Sequence, residues 1–104
     1  MTKLIVVRDV KTNERAELYV GKNSMMLKNY IESGYEKTVM FKCDYCEDFT
    51  NALNSINPAS QFSFSFDLMR ISHDDEYHTI AYDGPNGFSI CSKDLEMIFF
   101  PKLF

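Results

Sequence analysis

Residues 23–34, NSMMLKNYIESG, decide what kind of fold this chain has. The stretch is punctuated like a helix. Asn23 is a good N-cap. Met26, Leu27, Tyr30 and Ile31 recur on one helical face, and Gly34 suits the left-handed position just past a helix end. A helix over about Ser24–Ser33 is therefore expected. Upstream, Leu4–Val10 and Arg15–Val20 read as two strands joined by the polar Lys11–Glu14, a hairpin that Gly21 ends.

Downstream, Thr38–Cys43 alternates Val39, Phe41 and Cys43 against Thr38, Met40 and Lys42, the mark of a strand with one buried face. Asp44–Ile56 reads as a second helix, with Cys46, Phe49, Leu53 and Ile56 on one stripe and Pro58 as its stop. In QFSFSFDL, residues 61–68, Phe62, Phe64, Phe66 and Leu68 alternate with Ser63, Ser65 and Asp67, giving a strand with an aromatic inner face. Ser72–Glu76 is a polar connection. Tyr77–Tyr82 and Phe88–Ser92 form a hairpin around the DGPNG turn, and 93–100 fits either a short helix or a final edge strand. The expected class is α+β: a mostly antiparallel sheet of about five to six strands with two helices packed on one face.

The chain has 104 residues, the size of a single domain, with apolar and charged fractions of 45% and 25%. That composition is ordinary for a globular protein. The apolar run at the N-terminus is too short for a signal peptide, and no stretch approaches the ~20 residues that span a bilayer. A cytoplasmic location with reduced thiols is expected.

Cys43 and Cys46 form a CDYC motif between a strand and a helix, the layout of a redox site or of half a zinc site. The wider pattern does not follow. A thioredoxin-like site needs a later proline beside the disulfide. Pro58 comes too soon, and Pro85 lies in a hairpin turn. A zinc site would need Cys91, His73 or His78 as further ligands, and none forms a second close pair. Core packing explains both cysteines, with Asp44 as N-cap and Glu47 completing a capping box. A thiol redox or zinc-binding protein using CDYC stays as the alternative. Elsewhere the catalytic signatures are absent. DGPNG has no helix after it to meet a phosphate, and no GxSxG or HExxH occurs. The phenylalanine row lacks the interleaved bases that nucleic acid requires. No enzyme activity, cofactor, metal, direct nucleic-acid contact or membrane contact is expected.

The charge distribution carries the functional expectation. Between Asp44 and Asp83 stand eight acids, with Arg70 as the lone base. Such a segment can steer a basic partner. Asp74, Asp75, Glu76, Tyr77 and Asp83 are expected at the centre of a docking face, with Asp44, Glu47 and Asp48 as a second patch. A small α+β chain without catalytic residues and with the loop HDDEYH (73–78) resembles the immunity proteins of contact-dependent growth inhibition and of nuclease colicins. That resemblance implies a cytosolic inhibitor that binds a basic nuclease toxin domain one to one. A phage- or plasmid-borne nucleic-acid mimic directed at a host enzyme would share the same surface physics. The C-terminal IFFPKLF, residues 98–104, would form a homodimer contact if it is not packed inside.

Overall fold

The apolar, β-branched centre of LIVVRDV forms β1 (Thr2–Asp9), which turns back into β2 (Arg15–Val20). Asp9 closes that turn. Its Oδ1 accepts the N–H groups of Lys11 and Thr12, and Asn13 takes the left-handed conformation with φ of 61°. Asparagine tolerates that region better than most residues. In this computed structural model the described residues are 1–30, 36–57, 61–66, 68–74, 77–85 and 87–100, with the backbone alone for Glu36, Phe64, Phe66 and Phe88.

Within residues 23–34, residues 24–30 form a strand. β3 (Ser24–Tyr30) pairs antiparallel with β2 on one side and with β4 (Glu36–Lys42) on the other. Its side chains alternate: Met25 and Leu27 are buried and Met26 is half-buried on the opposite face. This corrects the expected helix. It also corrects the α+β class with two helices on one face. Among the described residues there are nine strands in two antiparallel sheets and one helix, α1 (Cys46–Asn54). The proposed helical residues Ile31–Ser33, with Gly34, lie outside the described residues.

The first sheet has the order β4-β3-β2-β1-β9, where β9 is Leu95–Phe99. The open choice at 93–100 thus resolves as a strand beside β1. The second sheet runs β5-β6-β7-β8, from Phe62–Phe66, Met69–His73, His78–Tyr82 and Phe88–Ser92. β6 was not expected as a separate strand, so Ser72 and His73 belong to a strand and not to the connection. In the second hairpin, Gly87 is required by close approach, because a Cβ there would run into the Tyr82 carbonyl oxygen.

One core joins both sheets and the helix. On the first sheet a row of partners, Phe99, Ile5, Leu18, Leu27 and Val39, crosses all five strands on the inner face. Met69, Ile71, Ile80 and Ile90 answer from the second sheet, and Phe49 and Leu53 from α1. Phe41 stacks on Tyr82, with centroids 4.5 Å apart, to bridge the sheets. Each such fully buried side chain contributes about 1.5–3 kcal/mol. Among the described residues no helix is long and apolar enough to cross a membrane.

Candidate functional site

Cys43 and Cys46 are both buried in the core as free thiols. Cys46 opens α1, and its Sγ donates to the carbonyls of Cys43 (3.3 Å) and Ser24 (3.6 Å). The N-cap is Tyr45, with no side-chain capping bond, so Asp44 is not the cap and the expected capping box does not form. Cys91 is exposed in β8, where it accepts from the Thr79 hydroxyl at 3.3 Å. Among the described residues no group of three or more histidine, cysteine or carboxylate side chains is placed to hold a metal ion.

Of the expected acidic face, the described residues Asp74 and Asp83 stand at opposite ends of one hairpin. Asp74 lies beyond the His73–His78 end of the β6–β7 hairpin, and Asp83 beyond the Met69–Tyr82 end. Five residues of β7 separate those ends, roughly 16 Å at the rise of a strand. Asp83 is held by Arg70, which donates Nε and Nη2 to its two oxygens at 2.5 and 2.9 Å. That hydrogen-bonded pairing keeps the Asp83 carboxyl below its usual range. Asp74 spends Oδ1 on the backbone N–H of Tyr77 at 2.8 Å, and Tyr77 is half exposed. Asp75 and Glu76, the rest of the expected centre, lie outside the described residues, as does Asp67.

The second expected patch falls on one short stretch. Asp44, Glu47 and Asp48 are all exposed within the turn that starts α1, and Glu47 and Asp48 occupy its first turn. Negative charge is favoured there by the helix dipole. Among the described residues no base pairs with any of the three. Between them Tyr45 is 62% exposed, the residue that reading the CDYC spacing as a motif passed over. The patch thus gathers three exposed carboxylates and one exposed aromatic residue within residues 44–48.

Four bases of β1, β2 and the turn between them do meet acids of the same chain. On the outer face of the first sheet Glu17 is buried and accepts the Tyr19 hydroxyl at 2.8 Å, with Lys3 at 3.4 Å and Arg15 at 3.6 Å. Burial opposes charge on Glu17, but Tyr19, Lys3 and Arg15 outweigh it and hold the carboxyl below its ordinary value. Burial and the same carboxylate push the Tyr19 hydroxyl up to about 12. Arg8 pairs with Glu96 at 2.9 Å and Lys11 with Asp94 at 3.2 Å. At β9, the last strand in the order of the first sheet, Ile98 and Phe100 are exposed, the apolar groups behind the expected dimer contact, whose residues 101–104 lie outside the described residues.

At the far end of the β6–β7 hairpin, His73 and His78 pair in register with their Nδ1 atoms in contact. Burial, then the neighbouring His73, lowers the His78 pKa from its ordinary value, and Asp74 partly opposes this. No protein-family model matches this chain, and neither a curated protein nor a solved structure does.

Proposed function

We propose that this chain is a binding protein without catalytic activity, an inhibitor of the immunity-protein kind, that docks a basic nuclease toxin through the corner built by Asp44, Tyr45, Glu47 and Asp48. One observation supports it above the others: these carboxylates are exposed within five residues of one another and have no basic partner among the described residues, whereas Glu17, Asp83, Asp94 and Glu96 are each paired with a base. Unanswered like charge at one corner raises the encounter rate with a basic surface. Each exposed pair adds only about 0.2–1 kcal/mol. A tight complex therefore also needs an anchor, and the exposed Tyr45 within the same stretch supplies rigid aromatic area.

The docking face is smaller than the run of acids in the sequence, since Asp83 belongs to Arg70. The test is capture of the partner from the native host on immobilised protein, followed by a nuclease assay of the captured chain. The proposal expects a basic nuclease that the wild type inhibits at one equivalent. Asp44→Lys/Glu47→Lys/Asp48→Lys, folded by circular dichroism, should not inhibit it. Equal inhibition by that variant would refute the site, and a captured partner with no nuclease activity would refute the partner class.

A further inference from the structure

We propose that His73 and His78 form a two-histidine binding site for a borderline divalent transition-metal ion of the Zn2+ or Ni2+ class. The site stands apart from the docking corner and does not depend on it.

The sequence places the two imidazoles on adjacent strands, and the hairpin fixes their register. His73 and His78 are the last partners of β6 and β7. The turn beyond them is closed twice, by Asp74 N–H to the Tyr77 carbonyl at 3.0 Å and by Tyr77 N–H to Asp74 Oδ1 at 2.8 Å. The pair therefore rests on a hydrogen-bonded backbone. Its rings are 11° from parallel with centroids 4.1 Å apart. Phe62, the register partner of His73 on its other side, lies 5.9 Å from that ring and meets Phe99 of the first sheet edge-on at 6.0 Å. The imidazoles thus sit at the mouth between the two sheets, with one side fixed by aromatic packing.

The chemistry follows from the atoms that meet. Nδ1 faces Nδ1. Two neutral imidazole nitrogens attract only if something electropositive lies between them. In the metal-free pair a proton on one of the two Nδ1 atoms would meet that need. A metal ion can take its place when the two rings part, because nitrogens each about 2.0–2.1 Å from one ion stand roughly 3 Å from each other. The displaced proton moves through solvent to Nε2 of the same ring, so the pair stays neutral and nothing is oxidised or reduced. Imidazole favours zinc, copper and nickel over magnesium or calcium. Both rings are half-buried, so ions can reach them, and a cleft of about 390 Å³ opens beside His73 and Asp74, with room for the waters that complete the coordination shell. The Asp74 carboxylate at its rim offsets part of the ion's charge. Cys91 takes no part, because its partner in register is Thr79, next to His78 and therefore on the other face of the sheet.

The test is calorimetric titration of tag-free protein with Ni2+, repeated with Zn2+ under a non-chelating reductant. The expected result is one saturable site per chain. His73→Gln and His78→Gln should each weaken it at least about tenfold, or roughly 1.4 kcal/mol, while Cys91→Ser leaves it unchanged. Nitrogen-15 imidazole spectra of the wild type give a reading that does not depend on variants folding. Metal should shift Nδ1 of both His73 and His78 and leave the proton on Nε2. No saturable binding, binding retained by the double glutamine variant, or spectra in which neither ring responds would overturn the proposal.

Discussion

Leu27→Ala, paired with Met26→Thr, separates a strand from a helix at the stretch that sets the fold. In the sheet Leu27 is fully buried between Leu18 and Val39, while Met26 faces the other way. Removing three carbons from Leu27 forfeits about 2.4 kcal/mol at ~0.8 kcal/mol per methylene. The cavity left in a row that crosses five strands raises the loss to about 3–4 kcal/mol. At roughly 4–8 °C per kcal/mol, the melting temperature should fall by about 12–30 °C. Met26→Thr places a β-branched residue on the outer face and should change stability by no more than about 0.5 kcal/mol. Urea titration followed by circular dichroism reads both, with a lower midpoint and an unchanged slope for Leu27→Ala. A helix would bury Met26 and Leu27 together, so comparable losses at the two positions would refute the strand.

Asn29→Val should stabilise the protein by about 1 kcal/mol in the same titration. Asn29 lies on the inner face beside Ala16, and its Oδ1 is buried with no hydrogen-bond partner among the described residues, a cost the apolar side chain removes. In a thiol-reactivity assay Cys91 should react in the native state, and Cys43 and Cys46 only on unfolding; prompt reaction at all three would contradict their burial. Asp9 supplies a pH signature. Backbone N–H groups of Lys11 and then Thr12 lower its carboxyl pKa, so its contribution is fully present above the unfolded value of about 3.9 and is lost as pH falls through the folded value. The melting-temperature gap between wild type and Asp9→Ala should be wide at pH 7 and shrink progressively as pH falls below about 4; a constant gap would refute the assignment.

The hairpin of β1 and β2, the alternation in β4 and the helix after CDYC were legible because period and punctuation agreed there. Residues 24–30 were not. Met26, Leu27 and Tyr30 fit a helical stripe, methionine and leucine are good helix formers, and Asn29 breaks the apolar alternation of the inner face. Pairing with β2 and β4 on both sides decided the outcome against local propensity. β6 was hidden because residues 67 and 68, which separate it from β5, include neither glycine nor proline, so two strands read as one strand and a loop. At the candidate site the acids were visible but their partners were not. Arg70 and Asp83 are far apart in sequence and meet only through the β6–β7 register. Tyr45 was not legible because it lies inside the CDYC spacing, which reads as a cysteine motif.

The most direct test of the functional account is inhibition of the captured basic nuclease by wild-type protein and by Asp44→Lys/Glu47→Lys/Asp48→Lys, measured across a salt series. The account predicts one-to-one inhibition by the wild type that weakens as salt rises, and at least about a tenfold loss in the variant. Inhibition that is indifferent to both salt and the three substitutions would contradict it.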